Sequence, residues 1–471
     1  MKRWFNMTYI VFQVPGKLNY LYDRENGSLT KIEETDASAL KGLLGEEAQQ
    51  ECISRFQAQG LCLPTKLKEI EHPDVHILSQ LTAYRVSEMV LQVTQNCNLR
   101  CDYCVYSGSY YNRTHSAKRM SKETAFKAVD FLMEHSTDCD SIHIGFYGGE
   151  PLLEIELIKK VVEYIENEYE GKHVSYGLTT NATRLTEETA DFMANKGFNL
   201  LVSLDGPKEY QNTQRCYVDG KGSYDDVLEN LRSLKMRHPD YFDLMRINTV
   251  VPPNRDLKRI LNFFAENETL ARTECLVTPV TDVGNKNEIE YGESFLQTML
   301  IERTKALLYG LGYLEIDSVT PSFFTYLGEL AYIQKIITTY GLLPEKSHPG
   351  GPCTPGVRRM FVNVEGKIFP CERIGESSQM EIGSLDDGFN EQRICSMLNI
   401  GKLTEKNCKE CWAFSLCGQC IALSIDGETI SALKRLSRCK EVQGNNFTKL
   451  RDLVFLKENG FDFERFEGVR R

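Results

Sequence analysis

The sequence predicts an α/β protein of several units: a small β-then-α module, a central parallel sheet with right-handed crossovers, and a cysteine-rich C-terminal domain. Three observations carry this. Short β-rich runs alternate with helical stretches from Met89 to about Cys275, the pattern of repeated β-α units. The 471 residues exceed one ordinary domain. The 16 cysteines gather in spaced groups, most densely after the Pro/Gly-rich stretch LPEKSHPGGPCTPG.

At the start, MTYIVFQV, LNYLYD and GSLTKI are strand-like runs separated by Pro15-Gly16 and Asn26-Gly27, the second a strong hairpin signal. Residues 36–44 and 46–58 read as helices, with Asp36 as N-cap of the first. In the centre, the strand candidates are MVLQVT, SIHIGFYG, SYGLTTN, NLLVSLDG, MRINTVV and ECLVTPV. Between them lie the helical SKETAFKAVDFLMEH, LIKKVVEYIENEY, TEETADFMANKG and YDDVLENLRSLKMRH. Such a sheet is either open or part of a barrel, and its ligands sit at the carboxyl ends of the strands. Residues 288–340 read as mainly helical, and the tail from 446 as charged and helical in its first half.

Composition narrows the function. With 55 basic and 66 acidic residues the formal charge is -11, against a general nucleic-acid binder. No run of 18 apolar residues exists, and MKRWFNMTYIVFQVPGK lacks a signal peptide's apolar centre and cleavage site. A cytoplasmic protein without membrane or nucleic-acid partners is expected. Disulfides are then the weaker reading of the cysteines, and metal the stronger.

Cys97-x3-Cys101-x2-Cys104 stands just past the first central strand. Three thiolates in a loop this short can cap three corners of a cubic iron–sulfur cluster, leaving the fourth iron open for a chelating ligand. A zinc site wants a fourth ligand, and the nearest histidine is His115.

CNLRCDYC after a strand resembles the signature of radical S-adenosylmethionine (radical SAM) enzymes. Downstream order agrees: Tyr147-Gly148-Gly149-Glu150-Pro151 ends the second strand candidate, Thr180-Asn181 the third, and Ser203-Leu204-Asp205-Gly206-Pro207 the fourth. The resemblance implies a partial (β/α)6 TIM-like barrel over 89–285, a helical bridge over 286–345, and Cys97, Cys101 and Cys104 as ligands of a [4Fe-4S] cluster that SAM chelates. It further implies that Gly148, Gly149 and Glu150 accept hydrogen bonds from the SAM amino group, and that Tyr103 lies beside adenine. Ser203 and Asp205 hold the ribose or methionine part, with Asn181 and Arg215 in the same pocket.

The second cysteine set runs Cys353, Gly366, Cys371, Cys408-x2-Cys411-x5-Cys417-x2-Cys420 and Cys439. C-x2-C-x5-C-x2-C alone also suits a zinc ribbon, but seven cysteines are too many for one tetrahedral site. The order resembles the SPASM extension of radical SAM enzymes (346–442, followed by a tail over 443–471), which implies two auxiliary [4Fe-4S] clusters and three in all. Gly418 and Gln419 leave a gap of two where the family has three. By position, Cys408, Cys411, Cys417 and Cys439 hold the outer cluster. Cys353, Cys371 and Cys420 hold the inner one, which is completed by another residue, Cys395 being the nearest spare thiol, or stays open to a substrate thiolate. Glu372 falls where sulfatase-maturating relatives place an acidic general base. The other six cysteines, Cys52, Cys62, Cys139, Cys216, Cys275 and Cys395, are expected to be mostly buried apolar residues.

Residues 1–88 resemble the RiPP recognition element, a winged-helix-like module that binds leader peptides as an added strand. Together the resemblances imply a maturase that uses a 5'-deoxyadenosyl radical to take hydrogen from a ribosomally made precursor peptide and form a crosslink, foremost a cysteine thioether of the sactipeptide or ranthipeptide type. Its partners would be that peptide with its leader and an electron donor such as ferredoxin or flavodoxin. Formylglycine formation in sulfatases, carbon–carbon or carbon–oxygen crosslinking, and a non-catalytic iron–sulfur electron carrier are the alternatives.

Overall fold

The computed structural model describes residues 8–466 apart from 112, 272, 340, 351 and 352. Met7 of the first strand-like run, two residues of the Pro/Gly-rich hinge and the end of the tail thus lie outside the described residues. Strands β1 (Tyr9–Val14), β2 (Leu18–Asp23) and β3 (Ser28–Ile32) form an antiparallel sheet in that order, followed by α1 (Glu34–Leu40) and α2 (Glu46–Ala58). Strand periodicity sends the two faces to different cores. Tyr9, Val11 and Leu21 pack with Leu40, Cys52 and Phe56 of the module's own helices. Ile10, Phe12, Tyr20 and Tyr22 pack instead with residues near the other end of the chain, among them Trp412, Leu450 and Leu453. Asp36 is no N-cap: Glu33 occupies that position without a side-chain bond, and Asp36 lies in the first turn, paired with Arg55. Acidic residues there complement the positive end of the helix dipole, so the helix starts earlier than the Asp36 signal suggests.

A short β4 (Glu69–Ile70) and α3 (Leu78–Tyr84) lead into the centre. There follow β5 (Glu88–Thr94), β6 (Leu99–Cys101), α4 (Lys122–Glu134), β7 (Ser141–Gly148), α5 (Ile155–Glu168), β8 (His173–Thr180), α6 (Glu187–Asn195) and β9 (Asn199–Ser203). Then come α7 (Lys208–Gln214), β10 (Arg215–Tyr217), α8 (Tyr224–Arg237), α9 (Pro239–Leu244), β11 (Arg246–Val251), α10 (Leu257–Glu266) and β12 (Glu274–Pro279). Strands β5, β7, β8, β9, β11 and β12 neighbour one another in chain order and in parallel, as a partial (β/α)6 barrel requires. Helix α4 shows how the sequence builds a crossover: Ser121 Oγ caps the Thr124 amide, and Ala125, Ala128, Val129 and Leu132 make its buried face.

Helices α11 (Glu293–Gly310) and α12 (Phe324–Thr339) precede β13 (Lys346–Ser347), which pairs with β4. The cysteine-rich region then contributes β14 (Met360–Val362), β15 (Lys367–Phe369), β16 (Gly383–Ser384), β17 (Gly388–Phe389), α13 (Glu391–Leu398), α14 (Glu405–Lys409), α15 (Ala432–Ser437) and α16 (Cys439–Glu458). This region is not a free-standing domain. Strand β14 pairs in parallel with β5, Phe361 opposite Val90, so the barrel sheet continues through β15 to β17 into one sheet of ten strands. An apolar first strand would otherwise present an open edge, and β14 covers it. No helix of the described residues is long and apolar enough to cross a membrane.

Candidate active site

The first cysteine loop follows β5 at the carboxyl end of the sheet. Cys101 lies in β6 directly opposite Arg215 of β10. Backbone amides reach two of the sulfurs, Leu99 N to Cys97 Sγ at 3.3 Å and Tyr106 N to Cys104 Sγ at 3.5 Å, while Asn181 Nδ2 lies 3.8 Å from Cys97 Sγ. Burial pushes Cys97 and Cys101 up to about 12, and Arg215 opposes that rise at both. Bare thiolates are therefore disfavoured here, and the Arg215 guanidinium offsets part of that cost.

Gly148 and Gly149 lie against this loop. A Cβ on Gly148 would stand 2.0 Å from Thr94 O, and one on Gly149 2.1 Å from Asn96 O. Gly149 N donates to Thr94 O (3.0 Å) and Glu150 N to Asn96 O (2.9 Å). The glycines are thus required where one backbone lies on another, just before Cys97. The Glu150 carboxylate turns into the protein, accepting from Thr180 Oγ1 (2.6 Å), Asn181 N (2.7 Å) and Leu152 N (3.0 Å). Burial raises its pKa, and these three bonds oppose the rise. It therefore acts on the pocket through Asn181, whose Nδ2 also donates to Asn98 Oδ1 at 3.0 Å.

Tyr103, Asp205 and Arg215 form one network. The Tyr103 hydroxyl donates to Asp205 Oδ2 and accepts from Arg215 Nη1 (2.6 Å), and Asp205 Oδ1 accepts from Val250 N (3.1 Å). Ser203 is buried at the end of β9. Arg215 is 8% exposed and its Nε has no partner, so a buried cationic donor beside the cysteine loop is left unsatisfied. That fits a carboxylate ligand such as the amino-acid end of SAM.

Residues 91–265 match the model of the Radical SAM superfamily. They form a radical SAM domain. The chain is 35% identical over 150 residues to an uncharacterized protein of Methanocaldococcus jannaschii, covering 32% of this chain and 49% of that one, so it spans about half the length of that relative. It is 25% identical over 350 residues, 70% of this chain and 86% of the relative, to a cysteine-type anaerobic sulfatase-maturating enzyme of Clostridium novyi. Among solved structures, native anSMEcpe with bound AdoMet shares the fold, with a TM-score of 0.58 at 22% identity over 77% of this chain and 98% of that one.

Beyond the radical SAM domain, Cys408, Cys411, Cys417 and Cys439 line one cavity of about 270 Å³, together with Arg435, Gln419 and Gln443. Gln443 Nε2 donates to Cys411 Sγ (3.3 Å) and Gln419 Nε2 to Cys439 Sγ (3.7 Å). Cys353, Cys371 and Cys420 make a second group: burial, with Glu372, Cys353 and Cys420 adding to it, pushes Cys371 up to about 12. Gly366 (φ +78) turns β14 into β15, which delivers Cys371. Cys395 lies on α13 with Asn399 Nδ2 at 3.7 Å. Of the six cysteines outside the groups, Cys52, Cys62 and Cys275 are buried, whereas Cys139, Cys216 and Cys395 are only half-buried.

Among the described residues no three His, Cys, Asp or Glu side chains close around a single ion. The donor sets themselves, three thiols on the first loop and four around the cavity, are of the soft thiolate kind that iron–sulfur clusters take, so the residues present fit such clusters.

Glu372 Oε1 accepts from Arg359 Nη1 at 2.9 Å, while its Oε2 is buried without a partner. Sequence reasoning missed the groups that join this turn to the radical SAM domain. Arg113 donates to the carbonyls of Glu372 (2.7 Å) and Ile374 (2.9 Å) and to Glu376 Oε1 (3.0 Å). Tyr147 feels Arg113, Cys104, Glu372 and Glu376 together, though burial is what chiefly pushes it up to about 12. A lone arginine in SGSYYNR carries no local signal; only the register of β14 on β5 brings Glu372 to it.

Proposed function

We propose that the protein is a radical SAM maturase that modifies a ribosomally made precursor peptide, forming a crosslink and foremost a cysteine thioether. The observation that supports this most is the juxtaposition around Arg113 and Tyr147, which stand between the Cys104 loop and the Cys371–Glu372 turn. A peptide held there has one cysteine group on either side.

In this reading Cys97, Cys101 and Cys104 would hold the SAM cluster, Cys408, Cys411, Cys417 and Cys439 the outer cluster, and Cys353, Cys371 and Cys420 the inner one, with Cys395 or a substrate thiolate as its fourth ligand. With cluster and SAM bound, the chemistry supplied at this site would be a 5'-deoxyadenosyl radical able to take hydrogen from a peptide carbon. The chain's own residues do the rest. Arg215 would receive the SAM carboxylate and Ser203 and Asp205 would hold the ribose side, while Tyr103 and Asp205 fix Arg215, Glu150 orients Asn181, and Gly148 and Gly149 keep the cysteine loop against β5. Arg113 and Tyr147 close the space between the two groups to water, and Glu372 Oε2 accepts the proton released by the substrate. Residues 1–88 bind the leader peptide as an added strand, and ferredoxin or flavodoxin delivers electrons.

A second reading, formylglycine formation, is favoured by the likeness to cysteine-type sulfatase-maturating enzymes over 70% of the chain. Reduced, reconstituted protein incubated with SAM and cysteine-containing peptides separates the two: a thioether retains the sulfur and loses two hydrogens, whereas formylglycine loses the sulfur. Absence of 5'-deoxyadenosine would defeat both.

A further inference from the structure

The turn between β2 and β3 reaches the loop that carries Cys408 and Cys411 through one side chain. Arg24 is 1% exposed, far from the radical SAM domain in sequence, and all five of its N–H donors are engaged. Nε and Nη2 bond Glu25 Oε1, and Nη2 also bonds Thr65 Oγ1 at 2.9 Å. Nη1 directs both its hydrogens to the cavity loop, bonding Lys409 O at 2.6 Å and Cys411 O at 3.2 Å. The guanidinium carbon lies 5.6 Å from the Phe414 ring centroid, and Tyr22 meets Trp412 edge to face at 6.3 Å. Cys408, Cys411 and Phe414 all line the cavity.

Two of those bonds matter for the thiols. Lys409 ends α14, so its carbonyl is one of the helix's orphan acceptors, and Arg24 satisfies it from another part of the chain. The Cys411 carbonyl is fixed on Arg24 while the sulfur of the same residue accepts from Gln443 Nε2 at 3.3 Å, so Arg24 holds the backbone from which that thiol is presented. Hydrogen bonds to the sulfurs are among the factors that set a cluster's potential.

We propose that Arg24 is a positioning residue of the outer cluster, and that the N-terminal module buttresses the loop carrying that cluster's thiols as well as being a separate binding unit. This rests on the reading of the 408–439 cavity as a cluster site. A lysine cannot replace the function, because its single ammonium on a flexible stem has no planar fork to span both carbonyls and Glu25 at once.

The test uses the full chain, reconstituted under anaerobic conditions, as wild type, Arg24→Met, Arg24→Lys, Thr65→Val and Cys408→Ala. Iron content, chelator-driven iron release and an EPR-monitored potential titration are measured, with circular dichroism to check folding. In Arg24→Met about four of about twelve irons should leave at least tenfold faster than in wild type, and one cluster's potential should move while two stay fixed. Thr65→Val, which spares both carbonyl bonds, should behave as wild type. General destabilisation would instead speed release of all the iron and overturn the proposal. If Arg24→Met fails to fold, Arg24→Lys decides, with the same selective release expected. Wild-type release and potentials in the folded arginine variants would also overturn it. If wild type holds only about eight irons and Cys408→Ala loses none, the outer-cluster reading itself fails, and the proposal falls with it.

Discussion

Adding one methyl group at Gly149 tests whether the cysteine loop owes its place to backbone contact. The added Cβ would stand 2.1 Å from Asn96 O, 2.5 Å from Asn96 C and 3.0 Å from Cys97 N. Ordinary non-bonded contact is about 3.5 Å, so the overlap exceeds about 1 Å. All three atoms are backbone, and no side-chain rotation relieves it. The 94–97 segment must move by about an ångström, with loss of the 2.9 Å bond from Glu150 N to Asn96 O. Overpacking costs about 1–3 kcal/mol and the bond about 1 kcal/mol, so Gly149→Ala is expected to destabilise by about 2–4 kcal/mol. Displacement of the residue before Cys97 by about 1 Å is expected to slow SAM cleavage about 100-fold. Urea unfolding of the full chain and 5'-deoxyadenosine formation under anaerobic reduction measure the two effects. Wild-type stability together with a wild-type rate would refute the reasoning.

Glu150→Ala leaves the Thr180 hydroxyl and the Asn181 and Leu152 amides without their acceptor, and a loss of about 2–5 kcal/mol is expected in urea unfolding; less than about 1 kcal/mol would show that water replaces the carboxylate. His348 is pushed from its ordinary 6.5 down to about 4 by burial, with Nε2 accepting from Gly401 N at 2.9 Å. As pH falls below 6.5 the unfolded chain takes up a proton before the folded one, so stability is present above that pH and falls toward pH 4; between pH 7 and 5 wild type should lose about 2 kcal/mol more than His348→Gln, and equal losses would contradict the assignment. Gly444 lies inside α16 with nothing within 4 Å of an added Cβ, so Gly444→Ala is expected to stabilise by about 0.5–1 kcal/mol in the same assay.

The six barrel strands were legible because each is a short β-rich run bounded by turn residues, and SIHIGFYG coincides with β7 to the residue. What was not legible depends on long-range pairing. β6 and β10 have three residues each and acquire meaning only from facing one another, which brings Arg215 to Cys101. β14 is also three residues long, too short for a periodicity signal, yet its pairing with β5 joins the cysteine-rich region to the barrel. The N-terminal strands were found, but their two-sided burial was not. Alternation identifies a strand's two faces without naming what covers the outer one, which here is a cluster built from Leu307 and residues beyond it.

The same limit applies to the charges around the thiols. Each of the three cysteine groups has arginine beside it that opposes the rise burial causes in its thiols: Arg215 at Cys97, Cys101 and Cys104, Arg435 at Cys417 and Cys439, and Arg358 with Arg359 at Cys353. Arg215 and Arg435 are both buried, and Arg435 is held by Thr404 Oγ1 (3.3 Å) and Gln419 O (3.3 Å) from the cavity wall. Arginine suits this position better than lysine, because it keeps its charge when buried, whereas a buried ammonium readily gives up its proton. Only Arg215 was identifiable from sequence, through the order of motifs around it. Its setting also differs from the others in one respect: Arg435 bonds neutral oxygens and Arg359 pairs with Glu88 and Glu372, while Arg215 lies 3.7 Å from Asp205 yet keeps Nε free. A buried donor without a partner is costly unless something completes it. That cost falls on the arginine beside Cys97, Cys101 and Cys104, three thiols that would leave one iron of a cluster to an outside ligand.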